Sequence, residues 1–198
     1  GFDPDSHSGK ALANVLETYP RDELFQIDED TLLGFALAIL QLEERPRVRV
    51  LARRDRFDRF VSVLVYVPRE RFDVHLRNEV GDYLADVYMG HVSAHFEFFP
   101  EGPLTRVQYI IGRDDGATPH PDQATLEFDI GEIVRTWTDG LAAALTEAHE
   151  PNRARALLAQ YRDAFSEGYR EAYTPREAVA DIRIMEQLSP DHPIGVDF

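Results

Sequence analysis

The sequence predicts an α+β fold: a four-stranded antiparallel sheet in the order ββαββ, with helices on one face, followed by a helical segment. Three observations predict it. Four short runs between Arg47 and Gly112 either alternate apolar with polar residues or are apolar nearly throughout. One stretch of helical spacing, Arg69–Met89, divides those runs into two pairs. Beyond Thr125 the apolar spacing is helical only.

Residues 1–20 are polar, and only Lys10–Glu17 carries a weak helical period, so this segment is expected to be disordered or weakly ordered. From Arg21 the pattern firms. Asp28 or Asp30 can cap a helix that carries Leu32, Leu33, Phe35, Ala36, Ile39 and Leu40, and Pro46 stops it. Val48, Val50 and Ala52 alternate with Arg47, Arg49 and Arg53, which makes Arg47–Arg54 a strand. Phe60–Val67 is apolar at nearly every position, the signature of a central strand covered on both faces, and Pro68 ends it. In Arg69–Met89, Phe72, Leu76, Val80, Tyr83, Leu84 and Val87 recur at three- and four-residue steps.

Two further strands follow. His91–Phe99 places Val92, Ala94, Phe96 and Phe98 against His91, Ser93, His95 and Glu97; Leu104–Gly112 alternates Val107, Tyr109 and Ile111 with Arg106 and Gln108. In a ferredoxin-like arrangement Phe60–Val67 and Leu104–Gly112 are central, with Arg47–Arg54 and His91–Phe99 at the edges. One sheet face is then apolar and lies under helices, the other polar and open. The proline-bearing stretch at 113–125 reads as a linker. Helices are expected over Ile130–Ala148, from Pro151 to about Tyr169, and over Pro175–Leu188, the last capped by Thr174 and closed by Ser189-Pro190 and His192-Pro193. The expected domains are therefore an α+β domain with its leading helix at 21–112, the linker 113–125, and a helical connector at 126–198.

Composition excludes several functions. With no cysteine, the chain has no disulfide, thiolate zinc site or cysteine nucleophile, and it fits a cytoplasmic protein. It begins at Gly1, and both ends are expected to be cut points of a longer protein. There is no run of eighteen apolar residues and no basic-then-apolar start, so neither a membrane span nor a signal peptide is expected. The net charge of −15 disfavours nucleic acid and an anionic membrane as partners. The charge is uneven, however: Arg45–Arg77 carries ten arginines and four acids, a local +6 against −21 elsewhere. That run reads either as a solvated strand edge paired within the fold or as a contact or anion-binding face. Its candidate residues are Arg53, Arg54, Arg56, Arg69 and Arg71.

No motif supplies catalysis. GxGxxG, GxxxxGK[ST], HExxH and GxSxG are all absent. His91 and His95 on one strand would share a face but stand roughly 13 Å apart, too far to hold one metal ion. Trp137 reads as a core anchor. The alternative to a non-catalytic chain is a small enzyme with a site on the open sheet face around His91, His95, Glu97 and Arg106.

Four runs carry a resemblance: RVRVLARRDRFDRFVSVLVYVPRERFDVHLR (Arg47–Arg77), LTRVQYIIGR (Leu104–Arg113), RTWTDGLAAALTEAHE (Arg135–Glu150) and YRDAFSEGYREAYTPREAVADIRIMEQL (Tyr161–Leu188). They resemble, in order, the non-catalytic N-terminal half of the large bacterial NAD-specific glutamate dehydrogenases. The resemblance implies an ACT-like sheet unit and a helical connector, with no catalytic, cofactor or metal residues in this chain. It places NAD in the parent enzyme only. It implies other domains or subunits of that enzyme as partners, and leaves room for a small-molecule effector. One departure bears on the effector. Amino-acid-binding ACT units usually carry a glycine in the loop after the first strand, whereas here the loop is Pro68-Arg69-Glu70-Arg71-Phe72-Asp73 and Gly81 falls inside the helix.

Overall fold

The computed structural model describes residues 6–113 and 116–188. The expected disorder of residues 1–5, positions 114 and 115 of the linker, and the proline stop at 189–193 lie outside them. The chain divides between Val134 and Arg135 into two compact units.

The first unit is built on the four expected strands: β1 (Arg49–Arg54), β2 (Phe60–Pro68), β3 (Gly90–Phe98) and β4 (Leu104–Arg113). They form one antiparallel sheet in the order β1-β2-β4-β3, with the two apolar strands at its centre as expected. In β2 every residue from Val61 to Val67 is buried.

One sheet face carries Val50, Val61, Val63, Val65, Val107, Tyr109 and Ile111. Against it pack α4 (Val74–Val87), through Leu76, Val80 and Leu84, and α5 (Gln123–Val134), through Leu126, Ile130 and Val134. Gly81 is what lets α4 lie so close: a Cβ there would stand 3.3 Å from both the Tyr109 ring and Val92. Helix α4 starts five residues later than its periodicity suggests. Arg69–Arg71 forms a 3-10 turn, and the Asp73 carboxylate accepts the Leu76 N–H at 2.8 Å to set the helix start. The α5 helix, expected in the connector, lies in the first unit and buries its apolar stripe in the sheet core. It also covers the free edge of β1. The Glu127 carboxylate accepts the Val50 N–H at 3.3 Å, and the Gln123 amide donates to the Val50 carbonyl at 3.1 Å.

The second face is not open throughout. Helix α1 (His7–Thr18), the short α2 (Arg21–Leu24) and α3 (Glu29–Glu44) lie over it, so helices cover both faces and not one. Tyr19, Ala38 and Leu42 pack on Leu51, Leu64, Tyr66 and Leu104. The weak helical period expected at Lys10–Glu17 falls within α1. Ser6 caps it by accepting the Gly9 N–H at 3.0 Å, and Val15 and Tyr19 anchor it. Tertiary burial, which local composition does not reveal, is what orders it.

A β-bulge between Val92 and Ala94 corrects the expected alternation of β3. His91 is opposite Gly112, whereas His95 is opposite Tyr109, so the two histidines stand on opposite faces of the sheet. Ala94, Phe96 and Phe98 then lie on the second face, where Phe96 remains 59% exposed.

The second unit contains α6 (Trp137–Ala148), α7 (Pro151–Tyr161), α8 (Glu167–Ala172) and α9 (Pro175–Met185). Its core is Leu141, Leu145, Leu157, Val179 and Ile182. The single helix expected at Ile130–Ala148 is two helices, because Thr136 and Asp139 form a reciprocal capping box that starts α6. The helix expected to reach Tyr169 is likewise broken, with Ser166 capping α8. Trp137 packs edge-on or tilted against Phe165 and Tyr169, at ring separations of 5.2 and 6.2 Å, and donates its indole N–H to the Tyr173 carbonyl.

Candidate functional site

The five arginines singled out by the sequence occupy the two ends of β2. Arg53, Arg54 and Arg56 stand at the β1–β2 turn, and Arg69 and Arg71 stand in the loop after β2. Nine residues of extended chain, about 26 Å at roughly 3.3 Å per residue, separate those ends, so the arginines cannot share one ligand.

They also differ in commitment. Arg53 is buried, and its Nε and Nη2 donate to the two Glu23 carboxylate oxygens at 2.7 and 2.9 Å. This is a bidentate, charge-assisted pair closed against solvent. Arg54 is exposed, with Asp58 at 4.0 Å and His120 hydrogen-bonded to it. Arg56 is exposed and lines a shallow hollow with Phe25, Phe57 and Phe60. Arg69 extends over the Phe99 ring at 5.7 Å, and its backbone N–H donates to the Pro103 carbonyl at 2.8 Å. Arg71 is half-buried and donates to the Val134 carbonyl at 3.5 Å. The loop carrying these two is thus fastened to the β3–β4 turn, with Phe72 packed edge-on to Phe99 at 5.6 Å.

Asp55 organises the β1–β2 turn. Its buried carboxylate accepts the Arg59 guanidinium at 2.8 Å and the backbone N–H groups of Phe57 and Arg59. The bond from Arg59, helped by those backbone donors, lowers its pKa to about 2.

The four residues proposed for an alternative site on the sheet do not converge. Beyond the bulge His95 and Glu97 share the face of Tyr109 and Val107, where Glu97 accepts Arg77 of α4 at 2.9 Å. Arg106 lies on the other face, opposite Tyr66 and Phe98. There it joins a buried polar group that the sequence did not announce: Tyr19, Glu23, Arg53, Tyr66 and Gln108. Burial, reinforced by the nearby Glu23 carboxylate, raises the Tyr19 hydroxyl above its ordinary pKa. Burial also raises Tyr66, and Arg106 opposes that rise. A cleft of about 460 Å³ adjoins this group, lined by Pro20–Glu23, Gln26, Phe60, Phe96–Phe98, Arg106, Gln108 and Ile110.

Residues 49–138, which span the sheet, α4 and α5, match the glutamate dehydrogenase ACT2 domain. Residues 1–45 match that enzyme's helical motif 1, and residues 144–188 match its helical motif 2. The chain belongs to the glutamate dehydrogenase family. A protein of Halomonas elongata named NAD-specific glutamate dehydrogenase is 38% identical to it over 199 residues, which is 100% of this chain and 12% of that protein. A protein of the same name from Pseudomonas aeruginosa is 35% identical over 198 residues, again 100% of the chain and 12% of the relative. A third, from Mycobacterium tuberculosis, is 31% identical over 94% of the chain. The chain therefore spans 12% of the length of these relatives. In glutamate dehydrogenase terms, helical motif 1 is the cover of the second sheet face, and the ACT2 domain is the sheet with α4 and α5. NAD does not fit this part. A dinucleotide needs a glycine-rich turn from strand to helix, and here the β2–α4 turn reads Arg-Glu-Arg-Phe-Asp. Among the described residues no helix is long and apolar enough to cross a membrane.

Proposed function

We propose that this chain is a non-catalytic regulatory and structural part of an NAD-specific glutamate dehydrogenase, whose full enzyme converts L-glutamate to 2-oxoglutarate with NAD in the cytoplasm. The observation that carries the reading is the order of the matches: helical motif 1, ACT2, helical motif 2, over a chain that is 12% of the named relatives. Its work is contact with other domains or subunits, with effector sensing as a finer role. Arg54, Arg56, Arg69 and Arg71 are the contact residues; Arg53 is set aside because Glu23 already holds it. An arginine-rich end on an otherwise acidic chain favours an acidic neighbour and speeds encounter with it.

Two measurements test this. The purified chain should give no glutamate-dependent NAD reduction; turnover that follows the chain through purification and disappears with a point substitution in it would refute the non-catalytic reading. In the full-length enzyme, Arg69→Glu with Arg71→Glu should weaken assembly in sedimentation velocity, most at low salt, with little change in melting temperature. A double variant that lowers the melting temperature and leaves assembly intact would make these arginines internal partners only.

A further inference from the structure

Two arginines of the second sheet face are buried to the same degree, Arg53 and Arg106, each 8% exposed. Their surroundings differ. On Arg53 the Nε–Nη2 edge of the guanidinium grips a carboxylate, while Nη1 donates to the Arg54 carbonyl at 3.4 Å. On Arg106 Nη1 likewise donates to a carbonyl, that of Thr18, at 2.7 Å. Its Nε, however, is buried without an acceptor, and among the described residues no carboxylate lies within ion-pairing distance of the group. The guanidinium also lies over the Phe98 ring at 4.5 Å and beside the Tyr66 hydroxyl, which it contacts. The adjacent Tyr19 hydroxyl is also buried without a partner. A guanidinium carries five donors, and an unpaired buried charge is costly. The part of the guanidinium that lines the cleft offers an anion a charge-assisted partner.

We propose that the cleft between Pro20–Gln26 and the second sheet face binds a small monocarboxylate with an apolar tail, its carboxylate held by the Arg106 guanidinium. Charge and lining select the class. Of the acids at the cleft, Glu23 is neutralised by Arg53 and Glu97 by Arg77. The exposed Arg21 and Asp22 offset each other at the rim, leaving the single charge of Arg106 to be balanced. A dianionic phosphate would bring a second charge toward those acids. Phe60, Phe96 and Phe98 offer rings to an apolar tail. The site is separate from the two arginine ends described above, and binding to it is read without any dehydrogenase activity, so its failure and that of the regulatory reading are distinct results.

The test is an NMR titration of the 198-residue chain with butyrate and phenylacetate, alongside inorganic phosphate and butylamine. Both carboxylates should give saturable shifts confined to the cleft, with phosphate weaker and butylamine silent. Arg106→Gln should weaken carboxylate binding by about tenfold or more, the worth of a charge-assisted pair, while Arg56→Gln leaves it unchanged. If Arg106→Gln does not fold, Arg106→Lys carries the test: it keeps the charge and stem, loses the fork, and should also bind about tenfold more weakly. Absence of saturation, tighter binding of phosphate, or full affinity in the folded Arg106 variant would each overturn the proposal.

Discussion

The Glu23–Arg53 pair should behave as a unit whose halves cannot be removed singly. Both side chains are nearly inaccessible, at 4% and 8%, and the two N–H···O bonds are 2.7 and 2.9 Å long. Glu23→Gln removes the charge and turns an amide N–H₂ toward a guanidinium that has a single other acceptor, the Arg54 carbonyl at 3.4 Å. Stranding a buried cation in this way costs about 3–5 kcal/mol. At roughly 3–4 °C per kcal/mol for a unit of this size, the melting temperature should fall by about 10–20 °C. Replacing both partners, Glu23→Leu with Arg53→Met, leaves no charge to strand and should return to within about 1 kcal/mol of the native chain. Urea unfolding of the four chains of the cycle, followed by far-UV circular dichroism, measures the coupling directly. If Glu23→Gln costs under about 1 kcal/mol, or if the double variant loses the sum of the single losses, the pair is not the closed contact described here.

Val63 is fully buried at the centre of β2, between Ala52 and Tyr109. Val63→Asp should therefore leave the chain unfolded or insoluble, at a cost of several kcal/mol; a soluble variant with unchanged melting temperature would refute the central position of β2. Asp55 gives a pH dependence. Its folded pKa, about 2, lies below the usual carboxylate value, so its stabilisation is complete above about pH 4 and is lost as the pH falls through about 2. Asp55→Asn should flatten the acid limb of the stability curve over that window, and an unaltered limb would show that Asp55 does not hold the turn.

The strands and their order were legible because each signal is local and repeated. Alternation marks β1 and β4, continuous apolarity marks β2, and Pro46 and Pro68 punctuate them. The bulge was not legible. Val92, Ala94, Phe96 and Phe98 read as one unbroken alternation, yet the extra residue puts Val92 on one face and the other three on the other. Nor could the cover of the second face be read. Glu23 is one of 36 acidic residues, and nothing in its neighbourhood announces a bond to an arginine thirty positions away. The break before α6 had a visible cause, Thr136 with Asp139 three residues on, but the apolar period of Ile130, Ile133, Val134 and Trp137 runs straight across it. Among the candidate arginines, sequence placed all five at the ends of β2. Burial then separated Arg53 from the rest, and burial depends on helical motif 1.

That dependence makes helical motif 1 more than a lid. Its segment between Thr18 and Glu23 touches both buried arginines of the sheet, through a carbonyl at Arg106 and a carboxylate at Arg53. The Arg53 contact is complete within the chain and so holds the motif to the ACT2 sheet unconditionally. At Arg106 the Thr18 carbonyl takes Nη1, and the same guanidinium lines the cleft for which we propose a carboxylate. A ligand that binds only when Thr18 and the sheet are both in place stabilises that arrangement by RT ln(1 + [L]/Kd), about 2.7 kcal/mol at a hundredfold excess over Kd. A coupling of that size could alter how firmly helical motif 1 is held while Glu23–Arg53 keeps it docked. On that proposal one permanent and one ligand-dependent tether would sit on the same segment, which would couple binding in the cleft to the hold on helical motif 1 without unfolding it.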